Sequence, residues 1–329
     1  MPLLLSRADV ASVCTMAEAI PAAREAFLAL HEGRAHMPER LAVRVDEHHG
    51  THLTMPCYVD EPGGGILNVK IATVYPENPE AFGLGTTLAF LVLQDVRSGE
   101  LLALMDAEHL TAMRTGAGCA IATELLARKE SRVLTVFGAG AQAAAQVEAM
   151  LFVRRVERVW VISRSSERAA TFVQRLRDGG VDARRSDDPR ACLAESDIVC
   201  TATSSKSPVV QSGWLRPGTH VNAVGSFRAD IAELDPQSVG RCSVYVDHEP
   251  AARNGAGELI QAVAAGTWSW SDLSGSLGSL LAGKVAGRAN AEEITLFKSV
   301  GIAVQDSFAA AAIYARATQQ GLGISFSLT

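Results

Sequence analysis

The sequence lacks several features that would place it quickly. It has no excess of basic charge: 30 Lys and Arg stand against 36 Asp and Glu, a formal net charge of −6. No positive field draws nucleic acid or anionic lipid to such a chain, so neither is expected as a partner. Paired cysteines are missing too. The six cysteines, at 14, 57, 119, 192, 200 and 242, are scattered, with no C-x-x-C among them. That suits free thiols in a reducing compartment better than a disulfide framework or a zinc site. Long apolar runs are absent, and stretches such as 88–93 fall far short of a bilayer span. The start, M-P-L-L-L-S-R-A-D, has no basic n-region of a signal peptide. A cytoplasmic protein without membrane attachment is expected.

What is present suits a globular protein with a core: 48% hydrophobic and 20% charged over 329 residues, enough for two domains. Thr15-x-x-Glu18 reads as a capping box ahead of a helix, where Pro21 is expected to be tolerable only in the first turn. After Gly33, short β-rich runs at 41–45, 52–55, 66–74, 86–93 and 101–105 are separated by tight turns, which implies an antiparallel sheet. A helix rich in Ala and Gly follows at 112–127. Strands and helices then alternate, with strands at 133–137, 159–162, 197–201, 219–224 and 244–246, the grammar of a parallel sheet covered on both faces. A strand at 294–297 and a helix at 301–316, apolar on more than one side, close the chain, and the helix is expected to return to the first domain. The Ser/Gly-rich stretch 271–279 reads as a surface loop. The fold class is therefore α/β, a Rossmann-type doubly wound parallel sheet plus an α+β domain. The first domain is expected over 1–113, joined by about 303–329, and the second over 114–302.

The strongest local signal is T-V-F-G-A-G-A-Q-A-A-A at 135–145, where Gly138-x-Gly140-x-x-Ala143 closes an apolar strand and opens a helix. Gly138 permits the tight turn, Gly140 lets the backbone approach a pyrophosphate at the helix N-terminus, and Ala143 allows close packing. An NAD-binding unit places Asp or Glu at the tip of its second strand to hold the ribose 2′-OH. Here the tip is Ser163-Arg164-Ser165, and a guanidinium flanked by hydroxyls suits a 2′-phosphate. NADP(H) is the preferred cofactor, with NAD(H) possible.

The cluster D-E-H-H-G-T-H at 46–52 has no matching ligand cluster elsewhere and no H-E-x-x-H helix. It reads as a solvated hairpin tip and no metal is expected, although His52 can line a cavity. Three cations carry more weight: Arg40 before a strand, Lys70 inside L-N-V-K-I-A-T-V, and Arg114 among small residues. A lysine in a buried strand is costly unless its charge is paired or used. Together the three suggest a cationic pocket for a small carboxylate.

The chain resembles the ornithine cyclodeaminase/mu-crystallin family. The resemblance runs through M-P-E-R (37–40), L-x-M-P (53–56), N-V-K (68–70), G-L-G-T-T (83–87), M-R-T-G-A (113–117), G-A-G-A-Q (138–142), N-A-V-G-S (222–226) and K-S-V-G-x-A-x-Q-D (298–306). It implies an NAD(P)-binding domain and a substrate domain whose sheet mediates homodimerisation. It also implies that Arg40, Lys70 and Arg114 hold a substrate carboxylate. Ala141 and Gln142 would carry the pyrophosphate, and Thr86, Thr115, Thr201, Thr203, Asn222, Val224, Gly225 and Ser299 would complete the dinucleotide site. Cyclodeaminases of the family, and at least some alanine dehydrogenases, resemble one another in a G-x-D-x-P-G-K stretch after the N-A-V strand. This chain has Phe227 where that aspartate would stand and Asp230 three residues later, which is closer to the mu-crystallin and imine-reductase branch.

The resulting expectation is an NADPH-dependent reductase of a small cyclic or α-imino acid, such as Δ1-pyrroline-2-carboxylate or Δ1-piperideine-2-carboxylate, yielding an L-amino acid. Arg40 and Arg114 would fix the carboxylate, with Lys70 as proton source, its pKa lowered by burial and two cationic neighbours. Rival readings are ornithine cyclodeamination, an alanine-type dehydrogenase, and a non-catalytic cofactor- or ligand-binding protein.

Overall fold

A computed structural model describes residues 1–327, and the chain divides into two compact units, Met1–Arg114 with the segment from Ile302 onward, and Thr115–Gly301. In the first unit, eight strands form one sheet. Its order is Ile324–Ser325, Leu3–Leu5, Leu101–Asp106, Thr87–Gln94, Ile66–Val74 and Gly50–Val59, with Ala35–His36 and Leu41–Val45 both paired to Gly50–Val59. Pairing is antiparallel throughout, except where Leu3–Leu5 runs parallel to Leu101–Asp106.

Strand alternation decides what each face carries. On Ile66–Val74 it buries Asn68, Lys70 and Ala72, and the register sets Met55 and Leu91 on either side of Lys70. The helix Ala303–Gln320 packs on this face and on the helix Met16–His31, burying Val304, Ala310, Ile313 and Ala317 among others. Its several apolar sides are explained by this position between a sheet and a helix. The opposite face carries a row of paired apolar positions, Leu4, Leu104, Val92, Val69 and Pro56, with Phe90 beside it. Leu4 and Phe90 are exposed there.

One local expectation changes in this unit. Pro21 lies in the second turn of Met16–His31, beyond the first turn to which it was confined. The helix absorbs the lost N–H because Thr15 and Glu18 form a capping box and the surrounding face, Ala19, Ile20 and Ala23, is buried. The cluster at 46–52 is a hairpin tip, a 3-10 turn at Asp46–His48 followed by His49 with φ 50°. His52 sits on the next strand within 3.3 Å of Thr54 Oγ1. Among the described residues, no three His, Cys, Asp or Glu side chains gather as a metal-holding group.

The second unit is a fully parallel eight-stranded sheet. Its order is Ala183–Arg185, Arg158–Ile162, Val133–Phe137, Ile198–Thr201, His220–Ala223, Ile294–Lys298, Cys242–Val246 and Leu273–Ser276. Central strands covered on both faces read as continuous apolar runs, and Leu134, Val136, Val199, Val221 and Leu296 are completely buried. The order reverses between Val133–Phe137 and Ile198–Thr201, the switch point where doubly wound sheets open a crevice at their carboxyl ends. The stretch 271–279 is not a loop: Leu273–Ser276 is the edge strand and Leu277–Leu281 a short helix capped by Ser276. Serine and glycine mislead here because Leu277 and Leu280 still anchor the segment in the core.

Among the described residues, no helix is long and apolar enough to cross a membrane.

Candidate functional site

In the first unit the buried lysine has a partner. Lys70 is 1% exposed, and its Nζ lies 2.7 Å from Asp306 Oδ2 on the helix that covers the sheet. The other carboxylate oxygen accepts from Arg114 Nε at 3.0 Å. Gln305, one residue earlier, accepts from Arg114 Nη1 at 3.2 Å and returns a bond from Nε2 to the Arg114 carbonyl at 3.2 Å. Thr111 Oγ1 lies 3.5 Å from Lys70 Nζ. Two cations and one carboxylate, all buried, thus form a charge-assisted cluster that costs desolvation unless its geometry is held.

Arg40, half-buried ahead of Leu41–Val45, adds its charge to the same neighbourhood. Burial is the main cause that takes the Lys70 ammonium down to about 8; Asp306 opposes the fall, and Arg114 and Arg40 add to it. A lysine near that value exchanges protons readily at neutral pH, which its ordinary value of about 10.4 would prevent. Thr86 lies in this unit, its carbonyl accepting from Tyr75 N at 2.8 Å.

In the second unit the glycine-rich turn has the shape that a phosphate needs. Gly138 adopts φ +115°, and a Cβ there would stand 2.5 Å from the Ala202 carbonyl oxygen. Gly140 N-caps the helix Ala141–Val153, and a Cβ added to it would meet nothing within 4 Å. Open space beside the unpaired N–H groups of a helix start is an anion seat. Gln142 Oε1 is buried there with no hydrogen-bond partner, and Ala141 is exposed. The glycine backbone and the helix start fit a pyrophosphate, and Gln142 would join them only through its N–H groups, since its oxygen, like those of phosphate, accepts. At the tip of the second strand Arg164 is exposed, Ser163 is half-buried, and Ser165 Oγ caps the next helix by accepting from Arg168 N at 3.3 Å.

The remaining strand ends are organised by carboxylates that the sequence reading did not single out. Glu233, completely buried, accepts at Oε1 from Thr203 N and Thr203 Oγ1, both 2.7 Å. Its Oε2 accepts from Thr201 Oγ1 at 2.7 Å and Gly225 N at 2.8 Å. Glu258 accepts from the Glu233 amide at 2.9 Å and pairs with Lys298 Nζ at 3.0 Å, while Ser226 Oγ donates to it at 2.8 Å. Burial and the neighbouring Glu258 raise the Glu233 carboxyl above its ordinary range. Asp247 Oδ2 accepts from Ser299 Oγ at 2.9 Å and from the Val300 and Gly301 amides at 2.8 Å.

Gly225 is therefore required for a reason of its own: a Cβ would stand 2.4 Å from both Glu233 Oε1 and the Thr203 carbonyl. Asn222 is completely buried and donates to Thr123 Oγ1 at 2.9 Å. Thr201 and Asn222, both completely buried in central strands, direct their side chains to Glu233 and Thr123 inside the fold. Val224 is half-buried at the strand end, its N–H donating to the Thr201 carbonyl at 3.0 Å, and Thr115 is buried at the start of this unit. Phe227 packs against the core, and Asp230 is an exposed partner of Arg228 at 2.6 Å.

Asp306, Gln305, Glu233, Glu258 and Asp247 are the polar residues missed. Gln305 and Asp306 stood inside K-S-V-G-x-A-x-Q-D, where an acid on an otherwise apolar helix was the available signal. For Glu233 and Glu258 no comparable signal existed.

Known proteins resemble the chain over nearly its whole length. The Δ1-pyrroline-2-carboxylate reductase of Bacillus cereus is 36% identical over 323 residues, 98% of each chain. The structure of Thermococcus litoralis Δ1-pyrroline-2-carboxylate reductase in complex with NADH and L-proline superposes with a TM-score of 0.95 at 37% identity, covering 98% of this chain and 100% of that one. An archaeal alanine dehydrogenase dimer with bound NAD superposes with a TM-score of 0.92 at 33% identity, covering 100% and 99%. The pattern of the ornithine cyclodeaminase/mu-crystallin family matches residues 1–321, and the chain belongs to that family.

Proposed function

We propose that this protein is an NADPH-dependent reductase of a small cyclic or α-imino acid, forming an L-amino acid. The observation that carries this is the buried Lys70–Asp306–Arg114 cluster, with Arg40 nearby, in a chain so similar to a reductase solved with L-proline. Arg40 and Arg114 orient the substrate carboxylate through charge-assisted hydrogen bonds. Lys70, near its half-protonated point, donates the proton that the imine nitrogen gains. The dinucleotide supplies the hydride.

A cyclic imine arrives already dehydrated, so no ammonia need be expelled. Phe227 in the core and Asp230 engaged by Arg228 support reduction over cyclodeamination, because neither offers a base at that turn. The NADPH preference rests on Arg164 and the lack of a strand-tip acid; the neighbours solved with cofactor hold NADH and NAD. Gly138, Gly140, Ala141 and Gln142 would seat the pyrophosphate, with Thr203, Gly225 and Ser299 in the strand-end loops beyond. The reading includes a cytoplasmic location and a homodimer formed through the uncovered apolar sheet face, and sedimentation velocity tests the dimeric mass.

The decisive assay follows oxidation of NADPH or NADH with Δ1-pyrroline-2-carboxylate, Δ1-piperideine-2-carboxylate, or pyruvate plus ammonia or methylamine. Turnover is expected with an imine, faster with NADPH, and reduced at least about tenfold by Lys70→Ala or Arg40→Ala. No oxidation with any imine, alongside ammonia release from ornithine, would reverse the reading.

A further inference from the structure

The cluster contains one group with no place in the chemistry assigned so far. Asp306 is completely buried and gives one oxygen to each cation, 2.7 Å to Lys70 Nζ and 3.0 Å to Arg114 Nε. We propose that Asp306 is the positioning residue of this site, locking Lys70 and Arg114 in one arrangement and holding Lys70 in its protonated form. The proposal rests on the reading of Lys70 as proton donor.

Geometry gives the reason. Lys70 and Arg114 come from different elements, a strand and a helix, and each has a long stem with several rotatable bonds. A single carboxylate reaching both from a third element removes that freedom. Its neighbour Gln305 clamps Arg114 at both backbone and guanidinium, so two consecutive residues of one helix fix the arginine.

Charge gives the second reason. The groups that face Lys70 are Met55 and Leu91 on the flanking strands, Thr111 and Arg114 on the helix Glu108–Leu126, Arg40 ahead of the edge strand, and Asp306 on the covering helix. Of these, Asp306 is the one anion. Cys57, which faces Asp306, is pushed up by burial to about 11 and stays neutral. Without Asp306, Lys70 would face two cations in a dry site and lose its proton, and a neutral amine cannot donate one.

The experiment compares the wild type with Asp306→Asn and Asp306→Glu, using the 13Cε signal of labelled Lys70 to follow its protonation. The wild type should show a transition near 8. Asp306→Asn should move it down by about one unit or more, a tenfold change in the charged fraction, and Asp306→Glu should restore part of it. The alkaline limb of kcat/KM should move with it. An unmoved transition in folded Asp306→Asn, or a uniform loss of activity with the limb in place, overturns the proposal. If Asp306→Asn does not fold, the wild type still decides: Lys70 neutral at neutral pH overturns it. A Lys70 transition that moves in a protein reducing no imine would sink the proposed function and leave the role of Asp306 standing; imine reduction with an unmoved Lys70 would do the reverse.

Discussion

Glu233→Gln isolates what one buried carboxylate does for the second unit. The change keeps the shape and removes a charge, but every group aimed at the side chain is a donor: Thr203 N and Thr203 Oγ1 on one oxygen, Thr201 Oγ1 and Gly225 N on the other. A glutamine has one acceptor oxygen and one NH2. The threonine hydroxyls can rotate to accept from that NH2, whereas backbone amides cannot. Whichever way the amide is turned, either Thr203 N–H or Gly225 N–H is left facing a donor. An orphaned buried N–H costs about 1–3 kcal/mol. Relief of repulsion between Glu233 and Glu258 returns some of this, since their proximity already raises the Glu233 carboxyl. A net loss of about 2 kcal/mol is expected, equivalent to roughly thirtyfold faster exchange at whichever of the two amides is orphaned. Native-state hydrogen exchange reads those amides individually, and a dinucleotide titration reports whether their loops still receive a ligand. Unchanged protection at both amides would show that the carboxylate is not what holds the loops.

Two glycines give a paired test and one histidine a pH test. Gly138→Ala places a Cβ 2.5 Å from the Ala202 carbonyl at φ +115°, so it should lower stability by about 1–3 kcal/mol and abolish dinucleotide binding. Gly140→Ala enters open space at the helix cap, so it should fold normally and lose dinucleotide affinity only; equal melting temperatures for the two variants would contradict both assignments. His220 is buried, its Nδ1 2.9 Å from Thr295 Oγ1, and burial takes its imidazole from 6.5 to about 3. Between those values the unfolded chain binds a proton that the folded one refuses, so stability falls as pH drops through that window, by up to about 5 kcal/mol. Equilibrium unfolding of the wild type and His220→Gln should show a stability gap that narrows from neutral pH toward about pH 4, and a constant gap would refute the assignment.

The parallel sheet was legible because its strands are short apolar runs set between helices, and 133–137 coincides with the strand Val133–Phe137. The glycine turn was legible because backbone shape there depends on residues that stand together in the chain. Stretch 271–279 was misread because composition outweighed the spacing of Leu273, Leu277 and Leu280. Lys70 could be flagged from the sequence as a charge needing a partner, but the partner could not be named, because an ion pair leaves no mark on spacing. The same holds for Gly225: its neighbours in sequence suggest a ligand, whereas its closest contacts are a glutamate side chain and a distant carbonyl. Long-range polar satisfaction is what a single sequence conceals.

The covering helix of the first unit has a consequence for how the chain is made. Arg114 and Asp306 lie 192 residues apart, and the whole second unit is encoded between them. During synthesis Thr115–Gly301 emerges as one contiguous piece and can collapse on its own. The first sheet meanwhile waits with Leu91, Met55 and the charge of Lys70 uncovered, since the residues that close over them are made after the second unit. Emergence of Ala303–Gln320 is thus the event that covers the sheet and brings the Asp306 carboxylate to its cations. Any truncation before Ala303 would leave a translated, half-assembled domain with an exposed apolar face, a substrate for chaperones and proteases.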